Sequence, residues 1–162
     1  MNDFYTEQLV KRKTPMSEKF VVVILGILTV LSVVLVLAMP ILLFVPVVLA
    51  VLTYFANLRT DLEFEYLYVN GELDIDKIMA KTKRKKGFSA KISDLEVMAP
   101  QGSEVLHAYQ NIKTFDYSYM TDKNRKFEAV FVKDGVKTKI IFEPNQTILD
   151  GIRMLAPRKV NF

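Results

Sequence analysis

The sequence predicts an α+β membrane protein in which an N-terminal transmembrane helical hairpin precedes a small antiparallel β-sandwich or barrel with a C-terminal capping helix. Three patterns support this prediction: an uncharged apolar block over residues 20–58, strand-like alternation after it, and a final amphipathic helical segment. The predicted boundaries are a juxtamembrane arm over 1–19, the hairpin over 20–58 and a β domain over 59–162, with its helix at 145–156.

The apolar block is too long for one membrane span. A single helix over it would be roughly 58 Å long, about twice the hydrocarbon thickness of a bilayer. Pro40 lacks a backbone donor and disfavours helix at Met39, so the block is predicted to form two spans, at about 20–39 and 40–58. A signal peptide has a shorter apolar core, and a chain of this size is too small to bury both helices in a soluble fold.

Basic residues on both sides of the block predict its orientation. By the positive-inside rule they place both termini in the cytoplasm, which gives a multi-pass protein of the cell membrane. The arm itself is predicted to be either a short interfacial helix or a frayed terminus that supplies charge. The flanking residues are Lys11, Arg12, Lys13 and Lys19 before the block, and Arg59 and the Lys81–Lys86 stretch after it.

The remaining sequence reads as three strands, a short helix, three strands and a last helix. Asn70-Gly71 and Asp134-Gly135 are strong signals for two-residue hairpin turns, and Ser93-Asp94 is predicted to bend or split the third strand. The short helix is expected to have Ser103 as its cap and one buried face, and Asn145 is expected to cap the last helix. That buried face is predicted to consist of Val105, Leu106, Tyr109 and Ile112.

This strand pattern with its terminal amphipathic helix resembles the bacterial pleckstrin-homology-like (PH-like) domains that follow paired membrane spans. The phrases "NGELDIDKI", "KRKKGFSAKISDLEVMAP" and "FEPNQTILDGIRMLAPRKV" are similar to those of an uncharacterised family of such two-span proteins. The resemblance implies a PH-like architecture, with seven strands if the third strand is split, and a membrane location. It implies no activity.

Five of the six residues from Lys81 to Lys86 are basic, and they form the main candidate site. A strand of about 7 residues rises roughly 23 Å, and the Asn70-Gly71 turn sends its partner back the same distance, so this stretch is predicted to return to the bilayer surface. There it can contact anionic lipid headgroups or a protein partner. The candidate contact residues are Lys81, Lys83, Arg84, Lys85 and Lys86.

A second interpretation makes the same stretch a solvated turn. Its charge would then be partly cancelled by an acidic block on the adjacent strands. Nucleic-acid binding is not predicted, because basic and acidic residues after the hairpin are nearly balanced. The acidic block comprises Asp61, Glu63, Glu65, Glu72, Asp74 and Asp76.

Signals of catalysis are weak. Asp74 and Asp76 could hold a divalent cation, but no phosphate-binding loop accompanies them, and a solvated strand face is the better interpretation. His107 is the only histidine and is expected at or near the surface. We therefore predict a non-enzymatic protein without a cofactor or a metal.

The predicted function is a membrane-anchored binding or scaffold domain that contacts anionic lipid. The alternative is an accessory subunit of a larger transporter or envelope complex, with the domain as a spacer. Gly26, Thr29 and Ser32 lie at small-residue spacing on the first span and would suit packing against a membrane-protein partner, or only against the second span.

Overall fold

The structure is a computed structural model that describes residues 5–119 and 126–161. The helices are α1 (Met16–Ala38), α2 (Phe44–Thr60) and α3 (Gln146–Leu155). The strands are β1 (Tyr5–Lys11), β2 (Leu62–Val69), β3 (Glu72–Met79), β4 (Lys83–Lys91), β5 (Leu95–Pro100), β6 (Lys113–Asp116), β7 (Phe127–Lys133) and β8 (Val136–Phe142).

The chain forms two compact units. The hairpin unit consists of Thr14–Leu62 together with the loop Met79–Lys83. The β unit consists of the residues up to Lys13, Glu63–Ile78 and the chain from Arg84 onward. The predicted limits at residues 20 and 58 fall inside α1 and α2, which both extend further into the polar flanks.

The helical hairpin forms as predicted. Met39 leaves the helical conformation with φ −137°, and Pro40 begins a 3₁₀ turn that leads into α2. α1 and the continuous helical segment Pro40–Thr60, which consists of the 3₁₀ turn and α2, are long and apolar enough to cross a membrane, and most of their apolar side chains are exposed. A soluble core helix would instead bury such side chains in protein.

A polar contact joins the two helices near their middle. The hydroxyl oxygens of Thr29 and Thr53 lie 3.3 Å apart. Ser32 is buried, and its hydroxyl donates to the carbonyl oxygen of Thr29 at 2.7 Å. Thr29 and Ser32 therefore serve contacts inside the hairpin.

Within the N-terminal arm, Tyr5–Lys11 form a strand, so the prediction of an interfacial helix or a frayed terminus is wrong for these residues; residues 1–4 lie outside the described part of the chain. β1 pairs antiparallel with β2, from Tyr5 opposite Val69 to Lys11 opposite Glu63. Its outward residues alternate with less exposed ones, and Val10 is buried. This period of two fits a strand, and the partner that selects it lies far along the chain, beyond the hairpin.

The β unit contains two four-stranded sheets. Their strand orders are β1-β2-β3-β4 and β5-β7-β8-β6. A 3₁₀ turn at Ile92–Asp94 separates β4 from β5 and sends them to different sheets, which confirms the predicted break; the described residues after the hairpin then form seven strands. β6 pairs with β8 in parallel, whereas the pairings of β1 with β2, β5 with β7 and β7 with β8 are antiparallel.

Both predicted hairpin turns are confirmed. Asn70 and Gly71 have φ of 47° and 87°, and Asp134 and Gly135 have φ of 52° and 78°. Positive φ at both central residues is typical of the tight turns that match strand twist.

The core lies between the two sheets and is closed by α3. The rings of Tyr66 and Phe142, one from each sheet, meet edge to face at 5.8 Å. Asn145 caps α3 as predicted, because its side-chain oxygen accepts from the backbone amide of Ile148. Ile148 and Ile152 of α3 are fully buried.

The short predicted helix is a 3₁₀ helix, Glu104–Tyr109. Leu106 is buried against Val97, Ala99 and Val130, and Tyr109 and Ile112 pack at its margin, but Val105 is exposed, contrary to prediction. Ser103 precedes the helix without capping it, since its hydroxyl donates instead to the carbonyl oxygen of Pro100. His107 is exposed, as expected.

Candidate membrane-surface site

The loop that carries the first two basic residues is attached to the end of α2. The amide of Ala80 donates to the carbonyl oxygen of Asp61, the residue after α2, at 2.7 Å. Ala80 and Lys81 have φ of 47° and 56°, so the chain turns sharply here. The loop Met79–Lys83 thus forms part of the hairpin unit.

Lys83 contacts an aromatic ring of the hairpin. Its Nζ lies 5.6 Å from the centroid of the Tyr54 ring, within the range of a cation–π interaction. Tyr54 lies in the second half of α2, and tyrosine near the end of an apolar span is typical of the membrane–water interface. Lys81 and Lys83 are both exposed.

The next basic residues face a different set of partners. The guanidinium of Arg84 lies 2.6 Å from the Glu65 carboxylate and 4.0 Å from that of Asp76. Lys86 Nζ lies 3.2 Å from the Asp74 carboxylate. β4 adjoins β3 in the sheet, so the basic and acidic stretches of the sequence meet side by side.

The Arg84 contact matters because its partner is buried. The Glu65 side chain is 6% exposed, whereas that of Arg84 is 56% exposed. Burial raises the pKa of the Glu65 carboxyl, and a hydrogen bond with Glu7 raises it further, while the Arg84 guanidinium opposes the rise. The positive charge of Arg84 therefore compensates the buried carboxylate of Glu65 on β2.

The structure thus divides the five candidate residues. Lys81 and Lys83 belong to the hairpin unit, whereas Arg84 and Lys86 are paired with carboxylates as the solvated-turn interpretation expects. Lys85 is exposed on β4 and forms no ion pair with another described residue.

A model of the bacterial PH-like domain family DUF6106 matches residues 2–162. The chain belongs to this family. The match spans the helical hairpin as well as both sheets, which confirms the resemblance drawn from sequence phrases in the β part. Comparison with curated proteins and with solved structures finds no match.

The acidic pair of this PH-like protein lies opposite basic residues. Asp74 and Asp76 face Lys86 and Arg84 across neighbouring strands. Within residues 5–119 and 126–161, no three histidine, cysteine or acidic side chains are grouped so that they could hold a metal ion.

The hairpin of the PH-like protein also has a groove that sequence reasoning missed. The groove is shallow and largely open, has a volume of about 380 Å³ and lies between α1 and α2. Gly26 and Thr29 gave a partial signal, but the lining depends on which helix faces meet. The groove is lined by Val22, Gly26, Thr29, Val30, Ala50, Thr53, Tyr54 and Asn57.

Proposed function

We propose that the chain is an integral membrane protein whose PH-like domain acts by binding, and that Lys81 and Lys83 contact anionic lipid headgroups at the cytoplasmic surface. The observation that carries the proposal is the attachment of their loop to the end of α2, through Ala80 and Asp61. Lys85 stays a predicted contact, and Arg84 and Lys86 serve mainly as counter-charges.

The membrane location rests on the two exposed apolar helices. With both spans crossing the bilayer, the basic residues that flank them favour a cytoplasmic position for both polar ends. The end of α2 then lies at the headgroup level, and the loop bonded to it lies there too.

The electrostatic attraction between these two lysines and an anionic leaflet is modest. Each base near an anionic leaflet contributes about 1 kcal/mol, and the attraction decays over a Debye length of about 8 Å. Two bases therefore contribute roughly 2 kcal/mol. Because the two spans already anchor the chain, this energy is not needed for attachment and would instead hold the two lysine side chains at the headgroups.

The ion pairs of Asp74 and Asp76 favour a binding role over catalysis. Lys86 lies 3.2 Å from the Asp74 carboxylate and Arg84 lies 4.0 Å from that of Asp76, so each carboxylate faces a positive charge of the neighbouring strand. The accessory-subunit alternative stays a prediction; of the small residues named for it, Thr29 has its hydroxyl 3.3 Å from that of Thr53 on the second span, which is the packing within the hairpin that the sequence also allowed.

A single spin label tests the proposal on the full chain. The protein contains no cysteine, so Thr82→Cys gives one nitroxide site between Lys81 and Lys83. In nanodiscs, we expect the label to become less accessible to a water-soluble relaxing agent when zwitterionic lipid is partly replaced by anionic lipid, and to recover at high salt.

The charge variant and its control share the same label. Lys81→Gln with Lys83→Gln should remove the response to anionic lipid. Lys133→Gln with Arg158→Gln neutralises two exposed bases of the β unit and should leave it intact. A label that responds equally in both variants, or does not respond in the unmodified chain, would reject the proposed contact.

A further inference from the structure

The groove between α1 and α2 has a gradient of polarity along its length. One end is lined by Val30 and Ala50, near the middle of the helices, and the other by Tyr54 and Asn57, near the end of α2. Val22 and Val30 are eight positions apart on α1, which corresponds to about 12 Å of helix. The groove is thus long enough for a substantial part of a lipid acyl chain.

The groove is open at Gly26. A Cβ added at Gly26 would have no atom within 4 Å. Glycine in a helix interior lowers helix stability by about 1 kcal/mol relative to alanine. Helix formation therefore does not require glycine at position 26. The absence of a side chain at Gly26 therefore keeps the groove open.

A cation contacts one residue of the polar end, although it does not itself line the groove. Lys83 Nζ sits over the Tyr54 ring, and the Tyr54 side chain lines the groove. The side chain of Asn57 is exposed beside it. Apolar walls that end at a lysine and an amide are complementary to a molecule with an apolar chain and an anionic head.

We propose that this groove binds one anionic phospholipid, with an acyl chain along Gly26 and its phosphate near Lys83 and Asn57. The assignment rests on the proposed function in one respect, which is that Lys83 faces the headgroup region. It goes further by replacing a diffuse surface attraction with one defined lipid site inside the hairpin.

Native mass spectrometry of the full chain in mild detergent tests the site. Phosphatidylglycerol and phosphatidylcholine with the same acyl chains would be titrated separately. We expect one phosphatidylglycerol to bind more tightly than phosphatidylcholine. Lys83→Gln should reduce that preference roughly fivefold, as the loss of one headgroup contact implies.

A variant that fills the groove tests the site more directly than Lys83→Gln does. Gly26→Leu should weaken the binding of both lipids about tenfold, because the side chain takes the place of the acyl chain. Ala38→Leu adds a leucine at an exposed position of α1 outside the groove and should bind as the unmodified chain does. Unchanged helix content by circular dichroism would show that Gly26→Leu is folded.

Three results would overturn the site: unchanged lipid binding in Gly26→Leu, no preference for phosphatidylglycerol, or a dimer of the unmodified chain that Gly26→Leu dissociates. The last result would assign the groove to a second copy. The Thr82 label separates this failure from that of the proposed function. If the label still responds to anionic lipid while Gly26→Leu binds normally, only the groove assignment falls.

Discussion

The guanidinium of Arg84 lies 2.6 Å from the buried carboxylate of Glu65, so a residue of the basic stretch stabilises the neighbouring acidic stretch. Such a pair is costly to break from one side, because the remaining charge stays buried without its partner. The basic stretch thus has a structural role in its β4 portion, independent of lipid.

Arg84→Gln should destabilise the β unit. We expect a loss of roughly 1–2 kcal/mol in the free energy of unfolding, less than for a fully buried pair because Arg84 is half exposed. Lys85→Gln, at an exposed neighbour, should change it by about 0.5 kcal/mol or less. Thermal unfolding of the full chain in detergent, followed by near-ultraviolet circular dichroism, measures both; equal effects would contradict the role of Arg84.

Glu65 should also make stability depend on pH. Its pKa in the folded state is raised by burial and by the hydrogen bond with Glu7, above the ordinary value of 4.5. The folded state then binds the proton more tightly than the unfolded state, so stability falls as pH rises from 4.5 through the folded pKa. Glu65→Gln should flatten this part of the thermal-stability profile, and a profile identical to that of the unmodified chain would contradict the assignment.

Tyr117 should make the stability of the β unit depend on pH at alkaline values. Burial raises the pKa of its phenol from 10.0 to about 12, and the hydroxyl donates to the carbonyl oxygen of Gly87 at 2.9 Å. The neutral phenol is favoured in the folded state, so its contribution is present below pH 10 and is lost as pH rises through about 12. Tyr117→Phe should show a smaller alkaline loss of thermal stability than the unmodified chain, and an unchanged profile would contradict the assignment.

The pairing of β1 with β2 makes the β unit separable from the hairpin. Lys11 lies opposite Glu63 in the register, so an Asn-Gly turn between these two residues can replace the intervening chain. We expect this fusion to give a folded soluble domain with dispersed amide signals in its NMR spectrum. A fragment over 59–162 lacks β1 and should be less stable; equal stability of the two would show that β1 contributes little.

The features that the sequence predicted are those set by local chemistry. The break at Pro40, the turns at Asn70-Gly71 and Asp134-Gly135, and the cap at Asn145 each depend on residues within a few positions of one another. The hairpin itself follows from the absence of charge over its length.

The features that the sequence did not predict depend on contacts between segments that lie far apart along the chain. β1 was assigned wrongly because its partner β2 follows only after both helices. The parallel pairing of β6 with β8 and the exposure of Val105 likewise follow from which elements meet. The division of the basic stretch could not be read from charge alone, because it depends on the placement of β4 beside β3.

The central claim is that both spans cross the membrane and leave both polar ends in the cytoplasm. Labelling of the single-cysteine variants Ser17→Cys, Ile41→Cys and Thr82→Cys in intact cells with a membrane-impermeant maleimide tests it most directly. The account predicts that Ile41→Cys, at the turn between the helices, reacts from outside, while the other two react only after the membrane is permeabilised. Reaction of Ser17→Cys and Thr82→Cys from opposite sides, or of Thr82→Cys from outside, would contradict it.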